Sequence, residues 1–558
     1  MTDPSVNQTT PPGLMSTAQA QQILSEIELA LQSDLNRAIE LAQAALARGL
    51  EQVRVLTLVA LRLEEEGRYP EAMRLLDRAA GLDPRDASVW NLVGLCLVKQ
   101  NRRRAAVAAF EQSLALDPSF AQPYYNLGTT WEYLGSYEDA REQFERAIKL
   151  FPDYADPLAG LATLAVRGGD WPMARDYAER CLALQPFQPA ATSALASADL
   201  NDRKFEDAER RLRDLVDEPG LDRFDRPSIH SQIGDALDGQ GRCDEAFAAY
   251  LEAKAGYRAA HRHNFEDAGV ESQLDFANRM RAYFEVAPAE PWSAPAPRGD
   301  AEAWPARALS FLVGFPRSGT TLLENVFASH SDVLALDERA TLLNTEERYL
   351  ASADTLDHLG TLSAEEAAQR RAEYWQVIRG FRMTPDDKVI VDKMPLYTKK
   401  LPLISKLFPG VKILFAVRDP RDVVFSCFRR AFQMNAGMYQ FVTLESAALY
   451  YDAVMRLAEL YRAKLPLDLH EVRYESLVVE FEGETRAACA FLGIDWRDSL
   501  NDFASVARTR QIRTPSAAQV RGGLYSSGAG QWRRYAKHLE PILPILQPWV
   551  ERFGYDAD

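Results

Sequence analysis

The chain has 558 residues, 47% of them apolar and 26% charged, with 30 glycines and 30 prolines. That is ordinary globular composition, long enough for two or more cores, and it excludes a collagen, a mucin-like stalk and a wholly disordered protein. Lys and Arg number 64 against 80 Asp and Glu, a formal charge of −16; a surface built throughout to neutralise phosphodiester backbones is excluded, so no nucleic-acid partner is expected and any bound anion needs a local site.

Residues 1–18 begin MTDPSVNQTTPPGLM and are expected to be flexible. They carry neither a basic start nor an apolar segment, and no run of about 18 apolar residues occurs anywhere, so neither a signal peptide nor a membrane span is expected. Cys96, Cys181, Cys243, Cys427 and Cys489 form no CxxC pair and have no histidines at ligand spacing. They fit a reducing compartment, offer no metal site, and with the missing signal make the cytoplasm the expected location.

Residues 19–265 repeat themselves. Pro84, Pro118, Pro152 and Pro186 follow one another at intervals of 34 residues, and Gly94, Gly128 and Ala162 keep the same register, as do Ala72, Ala106, Ala140 and Ala174. Phe110 and Phe144 stand four residues after their alanines. Small residues let paired helices approach closely and large ones fill the space between pairs. The pattern resembles the tetratricopeptide repeat: Trp90-x-x-Val93-Gly94 and Tyr124-x-x-Leu127-Gly128 match its first-helix signature, and the four prolines its closing position. About seven units are expected, forming an all-α solenoid. Its surface is read either as a groove for a protein partner or as an element of oligomerisation or support.

After Asn264 the period fades, and residues 286–305 read VAPAEPWSAPAPRGDAEAWP. This composition sustains neither a helix face nor a strand alternation, so residues 266–305 are read as a linker and 306–558 as a second domain.

That domain opens with the apolar run ALSFLVGF at 308–315, which leads through Pro316-Arg317-Ser318-Gly319 into Thr320-Thr321 and a helical stretch containing Leu322, Leu323, Val326 and Phe327. Strand, tight loop, helix is the order that points unpaired N–H groups and the positive end of a helix dipole at an anion, with Gly319 allowing close approach. The frame is that of GxxxxGK[ST], but Thr320 stands where a nucleotide-triphosphate enzyme places its lysine, which weighs against a P-loop kinase. A second run, Lys388–Val391, ends at Asp392-Lys393, and a third, Val411–Val417, ends at Arg418-Asp419-Pro420-Arg421 ahead of a helical stretch with Ser426. Two cationic strand ends thus flank the cradle of a P-loop-like α/β domain with a central parallel sheet.

Residues 308–558 resemble the PAPS-dependent sulfotransferases, in particular the branch with the tyrosylprotein sulfotransferases. The resemblance implies that Arg317, Ser318, Gly319, Thr320 and Thr321 hold a 5′-phosphosulfate, that Arg418 and Ser426 hold a 3′-phosphate, and that Lys393 assists the transferring group. It also places the catalytic base at Glu338, beside Asp337, with His330 as competitor. Tyr474, in Arg473–Leu477, corresponds to a tyrosine lying against the cofactor, and Ser516 and the segment 526–535 to a late loop closing over the nucleotide. At Gln531 the chain departs from the family, which has a basic residue before the tryptophan; Arg521, Arg533 or Arg534 either replaces that charge or lies on a solvated face. PAPS is the implied co-substrate with no metal, and the acceptor is a hydroxyl of protein tyrosine, a sugar, a lipid headgroup or a small phenol. Lys393→Ala and Glu338→Ala are expected to fold and to lose transfer. The competing class is an interaction scaffold whose second domain keeps the anion site without chemistry.

Overall fold

The computed structural model describes residues 16–296, 304–381, 383–510, 512, 516, 520–524 and 528–556. Of the N-terminal stretch 1–18, residues 1–15 lie outside this set, and the first helix, Thr17–Leu31, starts at a capping box on Ser16. Among the described residues fifteen α-helices precede the first strand: seven consecutive pairs, followed by Gln273–Val286. None of the described helices is long and apolar enough to cross a membrane.

The 34-residue register is a packing rule. Gly94, in Ala87–Lys99, faces Phe110, in Arg103–Leu116, so closely that a Cβ would lie 2.4 Å from the ring. Gly128 and Phe144 repeat the arrangement at 2.5 Å, and both rings are fully buried. A side chain at either glycine would overpack the pair. The turns are held from the next helix: the carbonyls of Pro84 and Pro118 accept from Trp90 Nε1 and the Tyr124 hydroxyl, each at 3.3 Å. Ser113 Oγ donates to the Ala87 carbonyl at 2.7 Å, and Cys181 Sγ, two repeats later, to that of Ala155 at 3.3 Å.

Two compact units divide the chain. The first holds the repeats through Leu164 and Met173–Ala191; the second holds Ala165–Pro172 and all described residues from Thr192. Within the second unit the last repeat helices share one apolar core with the residues that follow. Phe247 stacks on His538 at 4.2 Å, Phe284 meets Tyr461 edge-on at 5.0 Å, and Tyr535 donates to Asp238 at 2.6 Å. The stretch 266–305, read as a linker, carries the helix Gln273–Val286 and buries Trp292, whose ring is 4.8 Å from Phe284. Its prolines end a helix and turn the chain while its aromatic residues still enter the core; residues 297–303 of it lie outside the described set.

Five strands, β1 (Ala308–Gly314), β2 (Val333–Ala335), β3 (Val389–Lys393), β4 (Lys412–Val417) and β5 (Asp468–Arg473), form a parallel sheet in the order β2-β3-β1-β4-β5. Near-continuous apolar runs in β1, β3 and β4 suit strands covered on both faces. The chain leaves β1 toward one edge for β2 and β3 and returns past it to β4, so the C-terminal ends of β3, β1 and β4 open side by side at a topological switch point. The register pairs Leu312 with Lys393 and Gly314 with Ala416.

Candidate active site

The turn after β1 is shaped by what surrounds it. A Cβ on Gly314 would come within 2.6 Å of the Ala416 carbonyl, and the Thr398 hydroxyl ties the Gly314 backbone, accepting from its N–H at 3.0 Å and donating to its carbonyl at 2.7 Å. Gly319 has φ +94°, and a Cβ there would be 2.8 Å from the Tyr474 ring. It caps the helix Thr320–Ala328, directing the first amides of that helix toward the space above the strand ends. Cys427 Sγ donates to the Pro316 carbonyl at 3.4 Å from behind, and burial pushes its thiol up to about 12, so it serves as packing.

The first and third motifs meet. Arg317 Nε donates to Ser426 Oγ at 3.0 Å, and its Nη1 reaches Ser516 Oγ, 199 positions away in sequence. Arg418 donates to the Arg317 carbonyl at 3.0 Å and to the Gly528 carbonyl, and its guanidinium lies 4.9 Å from the Tyr474 ring centre. Among the described residues, Arg418 Nε is buried without a hydrogen-bond partner. A buried cationic N–H of this kind, with the Ser426 and Ser516 hydroxyls nearby, fits an anionic group such as a nucleotide phosphate. Tyr474 begins the helix Tyr474–Val479 immediately after β5.

Neighbouring charges hold this frame. Arg421 pairs with Asp419 (Nε–Oδ1 3.0 Å, Nη2–Oδ2 2.8 Å) and lies 3.9 Å over the Trp532 ring. Asp422 accepts from the backbone N–H groups of Gly530 and Trp532 at 2.6 and 2.9 Å, fixing the turn that contains Gln531. Of the arginines near that position, Arg534 pairs with Asp238 at 2.9 Å, and Arg521 donates to the carbonyls of Ala507 and Arg510 at 2.9 and 3.2 Å. Arg533 lies 5.3 Å from the Trp532 ring centre. Within the late loop Thr514, Pro515, Ala517, Ala518, Gln519, Ser526 and Ser527 lie outside the described residues.

On the other side of β1 stands an acid cluster around one lysine. Lys393 Nζ, fully buried at the end of β3, lies 2.9 Å from Glu338 Oε1, 3.2 Å from Glu324 Oε2 and 3.5 Å from Asp337 Oδ1. Burial alone would discharge this ammonium, but the three carboxylates outweigh it and raise its pKa above the ordinary lysine value. Glu338 is the accessible member: its side chain is 32% exposed, against 1% for Glu324. Asp337, before it, has φ +57° and donates its N–H to Glu324 Oε1 at 2.7 Å, which aims the next side chain at Lys393.

His330 is occupied elsewhere. Its Nδ1 accepts from the Asp332 N–H at 3.1 Å, so Nε2 carries the proton and donates to the Asp495 carbonyl at 2.8 Å. A ring with both nitrogens engaged by the backbone orders the end of the helix Thr320–Ala328 and has no lone pair for an acceptor.

Sequence reasoning missed Glu324, Arg510 and Asp392. The signals are weak: one carboxylate in a short, buried helix, and an acid beside a lysine already chosen. Asp392 is fully buried, accepts from Thr341 Oγ1 at 2.6 Å and the Tyr374 hydroxyl at 3.0 Å, and burial raises its carboxyl to about 7. A raised carboxyl pKa stabilises the fold at low pH, and this contribution fades as pH rises from about 4, where the unfolded group titrates, to about 7. Asp392→Asn keeps an acceptor for both hydroxyls. Its urea midpoint relative to wild type is expected to improve between pH 5 and pH 8; a constant difference across that interval would remove the charge from the argument.

Residues 310–498 match the family model described as Sulfotransferase family, and residues 28–87, 94–155 and 125–189 match that of the Tetratricopeptide repeat. An uncharacterized protein of Aquifex aeolicus is 28% identical over 250 residues, 44% of this chain and 33% of that protein. Protein-tyrosine sulfotransferase 1 of Danio rerio is 22% identical over 262 residues, 44% of this chain and 72% of the relative. Protein-tyrosine sulfotransferase 2 of Gallus gallus is 28% identical over 204 residues, 34% of this chain and 53% of the relative. Among solved structures, the sulfotransferase domain from the Synechococcus PCC 7002 olefin synthase aligns with a TM-score of 0.33 and 21% identity, covering 47% of this chain and all of that one. The chain thus joins N-terminal tetratricopeptide repeats to a domain of the sulfotransferase family, with distant similarity to the protein-tyrosine sulfotransferases.

Proposed function

We propose that the second domain transfers the sulfuryl group of PAPS to a hydroxyl acceptor. The observation that carries this reading is the convergence at one sheet edge of a phosphate-type turn, an arginine–serine anion site and a lysine paired with an accessible carboxylate. PAPS supplies an activated sulfuryl group next to a 5′-phosphate and carries a second phosphate on the ribose. Arg418, Ser426 and Ser516 would hold the ribose phosphate, with Arg317 shared between those serines and the turn. Ser318, Gly319, Thr320 and Thr321 would hold the 5′ end through backbone amides and hydroxyls, with Tyr474 packed beneath.

Glu338 then takes the proton of the acceptor hydroxyl as its oxygen attacks sulfur, and Lys393 and the helix N-terminus meet the charge growing on the leaving oxygen. These groups are fixed before reaction, so they stabilise the transition state more than the ground state. The similarity to protein-tyrosine sulfotransferases makes a tyrosine hydroxyl in a polypeptide the first acceptor to try, with the repeats as the part that receives a protein.

The test combines transfer from labelled PAPS to tyrosine peptides and small phenols with calorimetry of adenosine 3′,5′-bisphosphate. Transfer is expected without ATP. Arg418→Ala is expected to weaken bisphosphate binding by about 10²-fold, as for a lost charge-assisted contact. Tight bisphosphate binding with no transfer to any hydroxyl would favour the scaffold reading, and no binding at all would end the nucleotide assignment.

A further inference from the structure

We propose that Glu324 is a positioning residue for this reaction, setting through Asp337 and Lys393 both the place of Glu338 and the charge it faces. The inference rests on the assignment of Glu338 and Lys393 made above. Glu324 lies on the helix that follows the anion-binding turn, with its carboxylate almost wholly enclosed. Oε1 accepts from the Asp337 N–H at 2.7 Å and from Arg510 Nη2 at 3.3 Å, while Oε2 faces Lys393 Nζ at 3.2 Å. Arg510 also donates to the Ala335 carbonyl at 2.7 Å, at the end of β2. One carboxylate therefore joins four pieces of chain: the helix after the turn, the β2 end with the base, the β3 lysine and the C-terminal segment.

Two consequences follow from its charge. The left-handed backbone at Asp337 is strained for a residue with a side chain, and its N–H bond to Glu324 secures it. The Lys393 ammonium is divided among Glu324, Asp337 and Glu338. Burial raises the Glu324 carboxyl above its ordinary value, the cations Lys393 and Arg510 draw it back toward the charged form, and the acid Asp337 opposes them, with Asp392 the further acid coupled to it. Neutralising Glu324 removes one of three carboxylates from the same lysine. Glu338 is then held more tightly by Lys393 and repelled less, so it binds a proton less readily and is a weaker base.

The test uses the full chain carrying Glu324→Gln, which keeps an acceptor for the Asp337 N–H, and Glu324→Ala, which does not. For Glu324→Gln the acidic limb of the kcat/KM profile is expected to move down by about one pH unit, and kcat to fall about tenfold, with bisphosphate affinity close to wild type. Glu324→Ala should lose more kcat through misplacement of the base. A lower active fraction with the acidic limb unmoved would assign Glu324 to structure alone and overturn the proposal. Titration of the Glu338 carboxyl by carbon NMR, identified by its loss in Glu338→Gln, reads the same shift without turnover. A wild-type chain that transfers nothing would therefore sink the reaction assignment while the titration still decides this one, an unchanged Glu338 midpoint overturning it.

Discussion

Glu338→Gln is expected to lower turnover by about 10²–10⁴-fold, the range of a positioned general base, while adenosine 3′,5′-bisphosphate binds as in wild type. Glutamine keeps the size of the side chain and an oxygen toward Lys393, so the 2.9 Å contact is replaced without opening a cavity. What disappears is the one carboxylate of the cluster that an acceptor can reach. Single-turnover measurement of labelled sulfuryl transfer, paired with calorimetry, separates chemistry from binding. Near wild-type turnover would place the base elsewhere, and His330 is poorly suited to take the role because the backbone engages both of its nitrogens.

Lys393→Met is expected to cost about 10²–10³ in turnover through loss of a preorganised charge, and a large part of the stability as well. The structure adds a stability cost to the expectation that Lys393→Ala folds and loses transfer. Lys393 is the buried counter-charge of three carboxylates, and removing one side of such a cluster elsewhere costs about 3–5 kcal/mol. The two effects can be told apart. Glu324→Gln placed in the same chain removes one of the stranded charges, so Lys393→Met/Glu324→Gln should regain part of the urea midpoint while transfer stays low. Recovery of transfer along with stability would reduce Lys393 to a structural role, and equal midpoints for wild type and Lys393→Met would contradict the burial argument.

Much of this protein is legible in its sequence. The 34-residue spacing of Pro84, Pro118, Pro152 and Pro186 gave the repeats, because every unit must satisfy the same close approach, such as Gly94 to Phe110. The strand, tight turn and helix over 308–321 are readable in one dimension, because a strand, a glycine at positive φ and a helix N-terminus are all local. Lys393 and Arg418 could be placed at strand ends for the same reason.

Tertiary structure alone decided which of these pieces face each other. Arg317 meets Ser426 and Ser516, 109 and 199 positions away, because the crossovers put β4 beside β1 and the late segment returns to the same edge. Glu324 and Asp392 carry no signal in the sequence, because an isolated carboxylate has the same letter code whether it is stranded or clasped by buried donors. The stretch 266–305 looked like a linker because proline and alanine suppress periodicity, yet Phe284 and Trp292 are buried in the core of the second unit. Periodic and contiguous features follow from backbone geometry and are written in one dimension; pairings of charge across a sheet depend on the strand order, which is fixed only when the apolar faces have found their partners.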